Sequence, residues 1–176
     1  MTNQDSNNPL EIVVWDDKYA TGVSLIDSQH RQLVKLTNQL YLACRSSNDK
    51  LDTAFKEAMS KMVQYVRYHF NVESKLLETI GYPEYKNHKK MHDDLVKKIL
   101  DSVNDYHEGK KFVANHFVRT LKDWVFSHIA VYDKQYSFYI LDLLKKGMIT
   151  EEQIKTIEKT AADSEASNVA CANLKN

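Results

Sequence analysis

The sequence contains few of the residues that cross-link a chain or break its regular structure. Its 176 residues include only two cysteines, Cys44 and Cys171, and these form no CxxC pair. This excludes a disulfide framework and a cysteine-rich zinc site, so both residues are expected to be free thiols. Four glycines and two prolines are few for a chain of this length, which predicts long helices.

An excess of one charge and a long apolar run are also missing. The 24 basic residues balance the 24 acidic residues, which argues against a nucleic-acid-binding surface. The N-terminal MTNQDSNNPLEIVV lacks the basic start and apolar stretch of a signal peptide. No segment approaches the roughly 18 apolar residues of a membrane span. We therefore expect a cytoplasmic protein with no membrane span and one core-forming domain.

What the chain does contain is the 3.6-residue periodicity of amphipathic helices, in four long segments. Apolar residues recur three and four positions apart in residues 24–45, 51–80, 85–108 and 112–146. Because short connections between long helices require antiparallel neighbours, the predicted fold is all-α, an up-down-up-down four-helix bundle.

The predicted bundle covers residues 13–146, with a short apolar arm at its start. Residues 1–12 are polar and expected to be disordered. Residues 147–176 form a C-terminal extension, in which the TEEQ motif has the spacing of a helix capping box. We expect a short helix at residues 150–162 followed by a flexible tail.

Each predicted helix carries polar side chains within its apolar stripe. One histidine on such a face is more often a hydrogen-bonded core residue than a metal ligand. Five histidines and two carboxylates would each need a separate partner, and an unsatisfied buried group costs about 1–3 kcal/mol. A shared metal centre would satisfy all of them. The candidate metal ligands are His30, His69, Glu73, His88, His92, His128 and Asp133.

The order of the helices brings these side chains to one level of the bundle. His30 lies near the start of the first helix, and His69 and Glu73 lie near the end of the second. The histidines of HKKMH lie near the start of the third helix, and the fourth reaches HIAVYD on its way back to the same level. All seven groups can therefore meet in one layer.

The spacing of His128 and Asp133 is unusual for two ligands on one helix. Side chains share a helical face when they are three or four residues apart, whereas these two are five apart. A wider turn of the π-helical kind, or a helix bend, would bring Asp133 back toward His128. The spacing thus predicts a local irregularity between Ser127 and Asp133.

The number of candidate ligands favours two metal ions. One zinc takes four ligands, or three and a water, so seven are too many for it. Two roughly octahedral metals offer about twelve positions, and imidazole with carboxylate suits iron. Five histidines, two bridging carboxylates and one bridging oxygen leave one position open for a small molecule. No Glu-x-x-His pair occurs, unlike in ferritin-like di-iron proteins, which favours reversible binding over oxidation chemistry.

The constellation of His30, HFNVE, HKKMH and HIAVYD resembles the hemerythrins in ligand type, order and local spacing. The preceding GVSLIDSQH and the WD dipeptide at Trp15 are similar to the bacterial branch of that family. The resemblance covers about residues 13–140. It implies that His88, His92 and His128 bind one iron and that His30 and His69 bind the other, which keeps the open position. Glu73 and Asp133 would bridge the two irons.

The resemblance also implies the ligand and its surroundings. The cofactor would be two iron ions with a bridging oxo or hydroxo group, and dioxygen would bind in a dry, apolar pocket. The residues at pocket-lining positions are Leu33, Phe70, Trp124, Val125 and Ile129. Ordinary core packing explains each of these equally well on its own.

Three functions remain open at this point. The first is reversible dioxygen binding for storage, delivery or scavenging, with an oxygen-consuming enzyme as a recipient. The second is a di-iron enzyme, such as a peroxidase or a nitric-oxide or iron oxidising activity. The third is an oxygen sensor that acts through the C-terminal extension. We favour the first, since no titratable side chain is expected at the open position.

Overall fold

The computed structural model describes residues 11–45, 51–110 and 113–173, and no strand occurs in these ranges. Their α-helices are α1 (Ser24–Arg45), α2 (Leu51–Thr79), α3 (Tyr85–His107), α4 (Val113–Ser127), α5 (Lys134–Lys145) and α6 (Glu151–Asn173). A 3-10 turn covers Asp17–Tyr19. A π-helical segment, His128–Asp133, joins α4 to α5.

The helices form an antiparallel four-helix bundle, in which α4, the π-helical segment and α5 together make the fourth helix. Helices α1 and α3 each pack against both α2 and α4. The short connections between consecutive helices enforce the antiparallel arrangement. The predicted all-α up-down-up-down bundle is therefore confirmed.

A left-handed glycine turn connects α2 to α3 and sets the level of their ends. Gly81 has φ +67°, a conformation that glycine adopts without steric cost. The N–H of Tyr82 donates a hydrogen bond of 2.9 Å to the carbonyl of Leu77, which closes the end of α2. The chain reverses within five residues, so the last turns of α2 lie beside the first turns of α3.

The bundle core consists of two apolar clusters. The first contains residues such as Leu33, Leu40, Phe70, Leu95 and Val125. The second contains Val23, Ile26, Leu76, Leu77, Tyr136, Ile140 and Ile154. On α1, the buried His30 falls between Ile26 of the second cluster and Leu33 of the first, and the other candidate ligands occupy equivalent positions. A polar layer therefore separates the two clusters.

Helix α6 begins with the predicted capping box but is longer than predicted. The N–H of Thr150 donates to Gln153 Oε1 over 2.8 Å, and the N–H of Gln153 donates to Thr150 Oγ1 over 3.2 Å. The predicted end of this helix at residue 162 is wrong because the helix continues to Asn173, and the rest of the predicted flexible tail lies outside the described residues. Residues 163–173 are rich in alanine and contain neither glycine nor proline, so nothing local ends the helix.

The N-terminal arm is attached to α1. The N–H groups of Ile12 and Val13 each donate a 3.0 Å hydrogen bond to Asn38 Oδ1, and Asn38 Nδ2 donates to the carbonyl of Val13. The predicted disorder of residues 1–12 falls mainly on residues 1–10, which lie outside the described residues. At Ile12 the prediction is wrong, because the amide side chain on α1 anchors the backbone there.

The composition predicts no membrane span and two free thiols. Among the described helices, none has the length and apolar composition needed to cross a bilayer. Cys44 is a half-buried free thiol, and burial raises its pKa to about 11. Cys171 lies outside the residues whose side chains are described.

Candidate metal centre

The seven candidate ligands lie together in the polar layer, removed from solvent. The most exposed of them, His88, is 4% exposed, while His30, Glu73 and Asp133 are fully buried. On α2, a spacing of four residues places His69 and Glu73 on one face, and the same spacing does so for the two histidines of α3. The local sequence of each helix therefore directs its candidate ligands toward the bundle axis.

The π-helical segment explains how the fourth helix contributes two candidate ligands five residues apart. In a π-helix the backbone hydrogen bonds run between residues i and i+5, so side chains at this spacing approach each other. Asp133 Oδ1 lies 3.0 Å from His128 Nε2. The irregularity predicted between Ser127 and Asp133 is confirmed by the π-helical segment.

The side-chain atoms that could bind a metal ion, called donor atoms below, form two groups that share the carboxylate of Glu73. The larger group contains Glu73, His88, His92, His128 and Asp133, and the smaller contains His30, His69 and Glu73. Within each group, the donor atoms lie within 4.8 Å of one another. Below, these are called the three-histidine group and the two-histidine group.

Asp133 faces both groups with its two oxygens. Oδ1 lies 3.0 Å from His128 Nε2 and 3.5 Å from His88 Nε2, both in the three-histidine group. Oδ2 lies 3.1 Å from His30 Nε2, in the two-histidine group. A carboxylate in this position can bind a metal ion on each side.

Glu73 lies between the groups in a similar way. Its Oε2 is 3.2 Å from His92 Nε2 and 3.7 Å from His69 Nε2. Its Oε1 accepts a hydrogen bond from the hydroxyl of Tyr136, which is fully buried. The pKa of Tyr136 is raised well above its usual value by burial and by the nearby carboxylates, so the phenol keeps its proton.

Tyr136 and Gln29 are site residues that were not predicted. Tyr136 follows Asp133 by three residues, and this spacing could have indicated a side chain on the same face. Gln29 Oε1 lies 2.9 Å from His69 Nδ1. Because a carbonyl oxygen only accepts hydrogen bonds, this contact needs the His69 tautomer with its proton on Nδ1, which would leave Nε2 to face the centre. A glutamine beside His30 in sequence gives no signal of a contact with another helix.

Several buried donor atoms of the centre lack hydrogen-bond partners among the described residues. They are Nδ1 and Nε2 of His30, Oε2 of Glu73, Nε2 of His88, Nδ1 of His92, and both carboxylate oxygens of Asp133. Since each unsatisfied buried group costs about 1–3 kcal/mol, a metal ion shared among these atoms would stabilise the fold. Imidazole and carboxylate are ligands for iron, and two groups sharing Glu73 fit a pair of metal ions.

Burial and charge keep most of these groups in the protonation state that metal binding needs. Burial lowers the pKa of His69 to about 3 and also lowers that of His92. Burial alone would raise the pKa of Glu73, but the neighbouring histidines hold it well below its usual range. The pKa of Asp133 is likewise held low by histidines, against burial and the charge of Glu73. For His88, burial is outweighed by Glu73, which raises its pKa. Neutral imidazoles and ionised carboxylates are the forms that bind a metal ion.

Aromatic rings cover part of the three-histidine group. The ring of Phe70 stacks on His92 with centroids 3.7 Å apart, and the ring of Trp124 stacks on His128 with centroids 4.1 Å apart. The other residues predicted to line a pocket, Leu33, Val125 and Ile129, are buried in the first apolar cluster. The structure places all five on the side of the polar layer that faces this cluster.

Comparisons with known proteins agree with this arrangement. A family model described as the hemerythrin HHE cation binding domain matches residues 21–137. This range includes all seven donors and the π-helical segment, whereas α6 begins after it.

Relatives with curated names cover most of the chain. Bacteriohemerythrin of Stenotrophomonas maltophilia (strain R551-3) is 29% identical over 128 residues, which are 73% of this chain and 81% of the relative. Bacteriohemerythrin of Pseudomonas aeruginosa (strain LESB58) is 31% identical over 124 residues, 70% of this chain and 78% of the relative. A crystal structure of wild-type hemerythrin has a TM-score of 0.66 and 27% identity, and the match covers 72% of this chain and 95% of that one.

Proposed function

The chain belongs to the hemerythrin family, and on this basis we propose that it binds dioxygen reversibly at a non-haem di-iron centre. The proposed role is storage, delivery or scavenging of oxygen in the cytoplasm, with an oxygen-consuming enzyme as the recipient of delivered oxygen. The protein would act by binding rather than by catalysis. Residues 13–146 would hold the centre, and residues 147–176 would form an extension to it.

The two groups of donors suggest how the irons would be held. His88, His92 and His128 would bind one iron, and His30 and His69 the other, with an oxo or hydroxo group between the two. Glu73 and Asp133 would each bridge them. When bound, the irons would supply the electrons that dioxygen takes up at the single open position and returns on release.

The observation that carries the proposal is the position of Asp133. Its two oxygens point to different histidine groups, at 3.0 Å from His128 Nε2 and 3.1 Å from His30 Nε2. Asp133 is fully buried, and its oxygens face these histidine nitrogens without a hydrogen bond of good geometry to any described residue. Bridging two metal ions accounts for both its burial and its orientation.

The surroundings of the centre support reversible binding rather than catalysis. Phe70, Val125 and Ile129 are buried apolar side chains beside the donors, and such walls exclude water. Tyr136, an acid that could protonate a bound ligand, donates its hydrogen bond to Glu73 and holds its proton tightly. On the side of the first apolar cluster, the described side chains beside the donors are therefore apolar rather than titratable.

Anaerobic reconstitution with ferrous iron tests this proposal. We expect two irons per chain and a visible absorption band that forms in air, disappears under argon and returns through repeated cycles. Irreversible oxidation within one cycle would contradict reversible binding and favour an enzyme. Binding of a single metal per chain would contradict the dinuclear centre itself.

A further inference from the structure

Helix α6 lies beyond the residues matched by the family model, yet it packs against the bundle next to the metal centre. Ile154 is 1% exposed within the second apolar cluster, and Ala161 is 3% exposed. The side chain of Asn71 on α2 donates a 3.0 Å hydrogen bond to the carbonyl of Ala161. Positions 154 and 161 are two turns apart, so one face of α6 is attached to the bundle.

Glu158 lies on this same face and begins a chain of hydrogen bonds that ends at a candidate ligand. Its Oε1 accepts from the hydroxyl of Tyr68 over 2.7 Å and from Gln29 Nε2 over 3.3 Å. Gln29 Nε2 is also 3.4 Å from the Tyr68 hydroxyl. At its other end, Gln29 Oε1 accepts from His69 Nδ1 over 2.9 Å.

The chemistry of these groups makes the chain directional. An ionised carboxylate only accepts hydrogen bonds, so Glu158 selects the NH2 end of the Gln29 side chain. The carbonyl end of Gln29 must then face His69, and it too can only accept. His69 therefore carries its proton on Nδ1, which leaves the lone pair of Nε2 for the centre.

We propose that Glu158 of α6 is a positioning residue that fixes the tautomer of the metal ligand His69 through Gln29. If the Gln29 amide turned over, its NH2 group would face His69 Nδ1, and the ring would have to carry its proton on Nε2. That tautomer presents an N–H to the metal instead of a lone pair. The extension thus controls the metal-binding competence of the two-histidine group. The inference rests on the proposed function only for the metal being iron.

The tautomer can be measured without any metal, by long-range ¹H–¹⁵N NMR of histidine rings in the full-length, metal-free chain. We expect the wild type to show His69 protonated on Nδ1. Glu158→Lys replaces an acceptor with a donor, which turns the Gln29 amide over and shifts His69 to the Nε2–H form. Glu158→Gln keeps an acceptor oxygen and should keep the wild-type tautomer. The control Glu151→Gln, on an exposed position of α6, should change nothing.

A second variant separates this effect from loss of α6 packing. With Gln29→Glu added to Glu158→Lys, the residue at position 29 can only accept, so His69 should return to the Nδ1–H form. Rescue without the native Glu158 contact supports the proposal. If His69 keeps the Nδ1–H form in Glu158→Lys, or if the added Gln29→Glu does not restore it, the proposal is wrong. Should Glu158→Lys fail to fold, Glu158→Ala replaces it, and two tautomers in exchange are expected.

Ferrous iron titration gives the consequence for the centre. Loss of an outer partner of a metal ligand typically lowers affinity about 10–100-fold, and we expect a fall in this range for one of two irons in Glu158→Lys. Unchanged affinity for both irons would contradict the proposal while leaving the proposed function intact. A wild type that binds no iron but shows the predicted tautomers would contradict the proposed function alone.

Discussion

The two groups of donors in the centre are supported in different ways, although they share Glu73. The three-histidine group is packed against aromatic rings, since Phe70 stacks on His92 and Trp124 stacks on His128. The two-histidine group is supported by hydrogen bonds, which run from His69 through Gln29 to α6. The three-histidine group is thus held by apolar packing. The two-histidine group is held by a chain of hydrogen bonds in which the donors and acceptors can be assigned in only one consistent way.

This difference suggests a division of labour. Stacked rings fix the orientation of histidines and exclude water but do not select a tautomer. A hydrogen bond to Nδ1 does select it and also makes the ring a better electron donor. The two-histidine group is the one proposed to hold the iron with the open position. It is thus the group that α6 can influence from beyond the residues matched by the family model.

Replacing Asp133 with alanine should have the largest effect, because it removes a carboxylate that faces both groups. We expect loss of at least one iron per chain and loss of the visible band, measured by metal analysis and absorption. The matched control is Asp142→Ala, which removes only a surface ion pair with Lys146, worth about 0–1 kcal/mol. Retention of both irons with an unchanged spectrum in Asp133→Ala would show that Asp133 is not a bridge.

Single histidine deletions sharpen the comparison between the groups. His69→Ala leaves one histidine in its group, whereas His128→Ala leaves two, so His69→Ala should lose the metal of its group more completely. We expect the affinity for one iron to fall by more than roughly 100-fold, the upper range typical when a residue that hydrogen-bonds a metal ligand is lost. His116→Ala, at an exposed position, is the control. Equal losses in the two ligand variants would argue against an unequal division of histidines.

Tyr136→Phe tests the hydrogen bond to the shared carboxylate. With the donor removed, Glu73 Oε1 is left buried without this partner, and the free energy of unfolding of the metal-free chain should fall by about 1–3 kcal/mol. Urea denaturation measures this change. Tyr139→Phe is a matched control, because its hydroxyl donates only long hydrogen bonds, of 3.3 Å to the carbonyl of Ile80 and 3.4 Å to that of Gly81, and should matter less. A loss no larger than that of the control would mean that the bond to Glu73 does not stabilise the fold.

The stability of the metal-free chain should fall as the pH is lowered. The pKa of His69 is about 3 in the folded chain, below its ordinary value of 6.5. As the pH falls, His69 is therefore protonated in the unfolded chain before it is protonated in the folded chain. The stabilisation is present above pH 6.5 and is lost as the pH falls toward 3, by up to about 1.4 kcal/mol per pH unit. The raised pKa of His88 opposes this trend. Urea denaturation at pH 7 and 5 should show a smaller pH dependence in His69→Gln than in the wild type.

Much of the candidate centre could be predicted because it depends on the spacing of polar residues within each helix. Polar residues in apolar stripes indicate candidate ligands wherever the 3.6-residue period is clear, as for the buried His69 and Glu73 on α2. The five-residue spacing of His128 and Asp133 was informative because it conflicts with a regular helix. The structure resolves that conflict with a π-helical segment at the predicted place.

The partners of the ligands could not be predicted, because they depend on how helices are rotated against each other. Gln29 is next to His30 in sequence, but its contact is with His69 on another helix. Glu158 lies 129 residues from Gln29, and no local pattern links them. The length of α6 was missed for a different reason, since alanine-rich polar sequence suits both a helix and a mobile tail.

Diffraction at the iron absorption edge, from crystals of the ferrous protein grown without oxygen, tests the central claim most directly. Two anomalous peaks are expected in the polar layer, one bonded to His88, His92 and His128 and the other to His30 and His69. Glu73 and Asp133 should contact both peaks. A single peak, or two peaks with Asp133 bonded to neither, would contradict the account.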